Sequence, residues 1–273
     1  MRLLIQLGVV ALVAFGGSAI VAAMRWNVPA TLVAGFAVAA LSLWAYAWVV
    51  RRTERRTPVE VAVGGAAPAF GRGLLIGVGM FAAVIANIAF LGGYEVLGWG
   101  SPAGAVALLG FTAAAVVVEE LMFRGVLFRV IEPRLGTWAS LLLTGALFGA
   151  AHLFNDHATL WSATAIAVEA GFMLAAAYAA TRTLWVPIGV HFGWNFAQGG
   201  IFGASVSGTD APKGLLDGVT SGPLLLGGGG FGPEASAYSV LAGVVVTAAF
   251  LWLARRRGNL VPPRRRLAAV AAG

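Results

Sequence analysis

The chain has 273 residues, 59% of them hydrophobic and only 11% charged, with a mean hydropathy of +0.87. Soluble domains carry about 25% charged residues, so the composition argues against an ordinary globular enzyme and for a chain whose solvent is mostly lipid. There is no cysteine, which removes disulfides, thiolate metal sites and cysteine nucleophiles; the net charge of +7 raises the question of nucleic acid, and the placement of the arginines answers it.

A helix needs about 20 apolar residues to cross a bilayer. Candidate spans run in chain order over 3–24, 30–50, 73–97, 103–130, 137–154, 160–180, 184–198 and 237–254. The seventh is short and less apolar. These segments give an all-α class: a polytopic membrane helix bundle of about eight transmembrane helices, with no fixed-period repeat. The apolar part of the first span exceeds the 7–15 residues of a signal-peptide core, so it reads as a retained helix. Residues 51–72 read as a basic interfacial loop, and 199–233, with Gly227–Gly230, as a glycine-rich outer loop. The tail after Arg255 reads as disordered.

With the N-terminus placed in the cytoplasm, sixteen basic residues fall on the cytoplasmic side; only Arg25 and Lys213 fall outside. Such asymmetry is what the positive-inside rule demands. It places both termini in the cytoplasm of a multi-pass cell-membrane protein and makes the arginines topology signals and contacts for anionic lipids. That reading outweighs nucleic-acid binding. Trp26, Trp99, Trp161 and Trp185 fall near span ends, as an interfacial aromatic belt requires.

Ionisable groups at bilayer depth cost about 2.5–3.5 kcal/mol each on insertion scales, so each needs a reason. The fourth span carries Glu119, Glu120 and Arg124; the fifth ends with His152 and Asn155; the sixth carries Glu169; the seventh carries His191 and Asn195. Glu120 and Arg124 are i, i+4 and share a helix face as an ion pair, while Glu119 points about 100° away. His191 and Asn195 share a face in the same manner, as do Phe148 and His152. At about 1.5 Å per residue, Glu119, His152 and His191 reach a common depth. Glu169 either lines a common polar cavity or pairs with Arg182, thirteen residues on and over about 19 Å along a helix, a poor distance for pairing; its role stays open. His157 falls in an outer loop.

A desolvated carboxylate near histidine is a general base for water, and an imidazole with an amide can hold an oxyanion. Glutamate and two histidines, here Glu119, His152 and His191, are also a zinc ligand set, so a metal-free and a zinc reading both stand. HExxH and GxSxG are absent from the sequence.

The motifs Glu119-Glu120-x-x-x-Arg124, Phe148-x-x-x-His152 and His191-x-x-x-Asn195, in that order on polar-bearing spans, resemble the CPBP family. These are the CAAX-protease and bacteriocin-processing (Abi) intramembrane proteases, or type II CAAX prenyl endopeptidases. Phe123-Arg124-Gly125 and Leu184-Trp185-Val186-Pro187 agree with it. The resemblance covers about 103–232. It implies that Glu119 and His152 activate water, that His191 and Asn195 hold the oxyanion, and that Glu120 and Arg124 brace the site. It divides the chain into an N-terminal three-helix part (1–102), a protease-like core (103–254) and a basic tail (255–273). It also implies a membrane-embedded or lipidated peptide as substrate, while the Ala-, Gly- and Arg-rich composition suits a high-GC bacterium. A proton-coupled transporter and a non-catalytic immunity or partner protein on the same fold are the competing readings.

Overall fold

The computed structural model describes residues 1–264; residues 265–273, with Arg265 and Arg266 of the basic tail, lie outside the described residues. Helices α1 (Arg2–Ala23) and α2 (Val28–Glu54) form a hairpin. Asn27 caps α2, its side chain accepting from the Ala30 N–H at 3.2 Å, and Pro29 occupies the first turn. α2 runs past the expected interface to Glu54, so the basic loop shrinks to 55–65, with one 3₁₀ turn, Val59–Val61. The helix α3 (Ala66–Phe90) then starts earlier and stops earlier than the sequence suggests. Gly92 takes the left-handed conformation at φ 75° that ends a helix. Residues 94–97, read from hydropathy as the end of a span, instead open the strand β1 (Tyr94–Trp99).

The fourth and fifth spans are one stretch of 53 residues, Pro102–Phe154. It comprises α4 (Pro102–Glu120), a π-helical segment Leu121–Phe128, α5 (Arg129–Ala151) and a closing 3₁₀ turn, His152–Phe154. Pro133 and the non-helical Gly136 (φ 80°, ψ 165°) bend it into two. Next come α6 (Leu160–Ile166), a second π segment Ala167–Phe172 and α7 (Met173–Thr181), continuous with one another. α8 (Trp185–Asn195) runs into a third π segment, Phe196–Ile201. The glycine-rich stretch holds the strand β2 (Leu216–Thr220), which pairs antiparallel with β1, and the single turn α9 (Leu224–Gly227). α10 (Ala237–Arg256) closes the fold. The molecule is an all-α membrane helix bundle with one two-stranded ribbon at one end. Among the described residues six helical stretches are long and apolar enough to cross a membrane, the bent Pro102–Phe154 counting as one and α8 falling short.

α8 is held by glycines. A Cβ on Gly73 or Gly77 of α3 would lie 2.3 or 2.1 Å from the carbonyl oxygens of Val186 and Val190; one on Gly189 or Gly193 of α8 would lie 2.3 or 2.4 Å from those of Phe70 and Leu74. Two small-xxx-small faces thus let the backbones touch, the contact that replaces hydrophobic driving force between helices in lipid. It fixes the depth and rotation of the helix carrying His191 and Asn195.

At the arginine-bearing end, Arg129 donates to both carboxylate oxygens of Glu54 at 2.9 Å and to Gln6, joining α5 to α2 and α1. Arg56 grips Glu60 through two nitrogens, at 2.8 and 2.7 Å, and Tyr46 donates to the same carboxylate at 2.5 Å. Burial would raise the Glu60 carboxyl, but these donors outweigh it and hold it below the ordinary carboxylate range. The first part of the expected disordered tail is docked. Asn259 donates to the Ala180 carbonyl at 2.9 Å, and Val261 exchanges hydrogen bonds with Thr137 at 2.8 and 2.9 Å beside the Gly136 bend. The bend exposes backbone groups that a straight helix would satisfy internally, and the tail satisfies them.

Candidate active site

α4 delivers Glu119 and Glu120 at its last two positions, and the π segment that follows delivers Arg124. Arg124 and Glu120 form a buried ion pair at 2.7 Å. The guanidinium also donates at 3.0 Å to the carbonyls of Ala170 and Gly171 in the second π segment. A π turn is wider than an α turn and offers its carbonyls more readily to outside donors. Gly125 in the first π segment does the same, accepting from Arg129 at 2.7 Å. The π segments therefore give the arginines partners at a depth where water offers none.

His191 sits between the two glutamates. Its Nδ1 lies 2.9 Å from Glu120 Oε1, and its Nε2 lies 3.8 Å from Glu119 Oε2. With Nδ1–H donated to the Glu120 carboxylate, Nε2 is the nitrogen turned to Glu119. The 3.8 Å gap is too long for a direct hydrogen bond and suits a bridging water. Glu119 Oε2 is buried with no protein partner, although the side chain as a whole is 30% accessible. The structure thus sets Glu119 against His191, where the motif reading pairs it with His152.

His152 closes α5 and turns back on it: its Nδ1 lies 2.8 Å from the Phe148 carbonyl oxygen. That carbonyl accepts only if Nδ1 carries a proton, which in the neutral ring leaves the lone pair on Nε2. The Phe148 ring is a shared packing surface. Its centroid lies 4.5 Å from the Arg124 guanidinium carbon, 4.8 Å from His152 and 6.0 Å from His191. It holds both imidazoles and the guanidinium through stacking and cation–π contact.

His152, His191 and Asn195 line one small cavity of about 10 Å³, room for one water molecule. Two further carboxyls line it, from Glu169 in the second π segment and Glu234 in the 3₁₀ turn Pro233–Ala235. Glu234 accepts from the Ser207 N–H at 2.6 Å, and the Ser207 carbonyl accepts from Asn155 at 3.0 Å. Burial pushes the Glu234 carboxyl up to about 7, against hydrogen bonds from Ser207 and Gln198 that lower it. Motif spacing gave no sign of Glu234. The available signal was its isolation, since it is the last acidic residue in the sequence and directly follows a proline.

Among the described residues no three His, Asp or Glu side chains are gathered to hold a metal ion. His191 and His152 each commit Nδ1 to an oxygen, of Glu120 and of Phe148, and so keep Nε2 turned away from those contacts, the orientation a metal-ligating histidine also takes.

Residues 101–197 match a family described as "Type II CAAX prenyl endopeptidase Rce1-like". A Bacillus subtilis (strain 168) protein described as "Putative membrane peptidase YdiL" is 30% identical over 79 residues, 29% of this chain and 30% of that protein. No solved structure gives a significant match. The matched segment contains Glu119, Glu120, Arg124, His152, Glu169, His191 and Asn195, and ends before Ser207 and Glu234.

Proposed function

From the match of segment 101–197 to the type II CAAX prenyl endopeptidase Rce1-like family, we propose that this chain is an intramembrane endopeptidase. It hydrolyses a peptide bond of a membrane-associated substrate, of CAAX or bacteriocin type, using water activated by Glu119. In this reading the protein is multi-pass, with both termini in the cytoplasm. The observation that carries it is the buried, unpartnered Glu119 oxygen facing His191 Nε2 across a one-water gap, beside a one-water cavity.

The chemistry follows from the partners. Glu119 takes a proton from the attacking water, and the free His152 Nε2 accepts the water's second hydrogen bond and aims it. His191 lies between the carboxyl groups of Glu119 and Glu120. Its Nε2–H and the Asn195 amide donate to the carbonyl oxygen as negative charge develops there. Glu120 and Arg124 touch no reacting atom; they fix the His191 ring.

Purified wild type in detergent should cleave tagged membrane-anchored peptides. Glu119→Ala should reduce cleavage at least about 100-fold, the lower range for a general base, with unchanged thermal unfolding. Undiminished cleavage by the folded variant removes the mechanism. A variant that still rescues a cellular phenotype without cleaving points to the immunity role.

A further inference from the structure

Four carboxyls converge on this site, and the mechanism above uses two. Glu120 is paired with Arg124, and Glu119 faces His191. Glu234 is held by the N–H and hydroxyl of Ser207. Glu169 has nothing of the kind. It is 1% accessible, its Oε2 is buried without a hydrogen-bond partner, and it lines the same cavity as the histidines. The groups facing it are Arg124, whose terminal nitrogens are committed to Glu120 and two carbonyls while its Nε has no partner, Glu234 across the cavity, and the two histidines. The backbone of α10 lies directly over it: a Cβ on Gly243 would come within 2.3 Å of Glu169 Cα.

An ionised carboxyl buried without a donor costs far more than a neutral one. A carboxylic acid aimed into a reaction cavity is, by contrast, a proton donor waiting for a base. We propose that Glu169 is the general acid of this site, giving its proton to the leaving amide nitrogen. The inference rests on the protease reading above. As Glu119 takes a proton from water, the water oxygen bonds to the carbonyl carbon. As the C–N bond breaks, the nitrogen takes the Glu169 proton, and a free carboxyl and a free amine leave. Glu119 is left protonated and Glu169 ionised; passage of that proton through the cavity water and an imidazole restores both. Splitting base and acid between two carboxyls spares Glu119 a swing across the substrate.

The test compares two leaving groups in detergent-purified protein: a membrane-anchored peptide and its analogue with a thioester at the scissile bond, which departs without prior protonation. Glu169→Gln keeps size and hydrogen bonding but has no proton to give. The amide kcat should fall at least about 100-fold, the thioester rate should stay within a few-fold of wild type, and the alkaline limb of the amide pH–rate profile should disappear. Retained thioester cleavage also reports that the variant is folded. Undiminished amide cleavage overturns the inference, and so does an equal loss on both substrates, which marks a structural role. Wild type inert on both substrates removes the protease reading and this inference with it.

Discussion

Arg124 concentrates more of the site's electrostatics than any other side chain. It neutralises Glu120, ties α4 to the second π segment through two carbonyls, and lies over the Phe148 ring that supports both histidines. It is 1% accessible and Glu120 is fully buried, so removing the guanidinium strands a charge. Arg124→Ala should cost about 3–5 kcal/mol of stability, the range for breaking a buried pair, read as a lowered unfolding midpoint in detergent. Glu120→Gln leaves a neutral amide for His191 and Arg124 and should cost less. A midpoint for Arg124→Ala equal to wild type would contradict the bracing role. Spacing in the sequence was enough to pair these two residues, because i, i+4 geometry is local. It could not show that Glu120 also holds His191, 71 positions away.

Within the elements, chemistry follows backbone irregularity. Each of the three π segments directly follows or encloses a polar residue of the site: Glu120 and Arg124, Glu169, and Asn195. None was legible in the sequence, since hydropathy and motif spacing do not distinguish an α turn from a π turn. The α3–α8 contact was half legible; Gly73, Gly77, Gly189 and Gly193 have the spacing of a helix-packing face, but which helix meets which is a tertiary fact. Gly193→Val has no space to enter, with the Leu74 carbonyl 2.4 Å from the added Cβ, and should part the helices and abolish cleavage. Gly79→Ala meets nothing within 4 Å and should leave stability and activity near wild type. Equal tolerance of both substitutions would show that α8 is positioned by something else.

Across the whole molecule, polarity is sorted by end. The network of Gln6, Glu54, Glu60, Arg56 and Arg129 lies at one end, together with Arg182 paired to Glu132. The β1–β2 ribbon lies at the other. Counting arginines anticipated this segregation because charge asymmetry is a property of composition and order, whereas the ribbon and the docked tail depend on pairings between distant segments. The absence of cysteine makes orientation directly testable with Arg55→Cys and Trp99→Cys, both exposed positions: an impermeant thiol reagent should label Trp99→Cys in intact cells and Arg55→Cys only after the cells are opened. Labelling of both from one side would refute the proposed topology.

The three π segments carry one more consequence. A π turn is an α-helix with one residue too many, so each marks a place where the chain length is negotiable. Deleting a residue there lets the helix close into regular α form with its flanking turns kept nearly in register, whereas the same deletion in a regular α turn rotates everything downstream by about 100°. In this chain the side chains re-aimed by such a deletion are those inside the bulges, Arg124 and Glu169 among them. Single-residue deletions at these points are thus a natural dial by which one bundle can re-aim its polar groups without rebuilding its helix contacts.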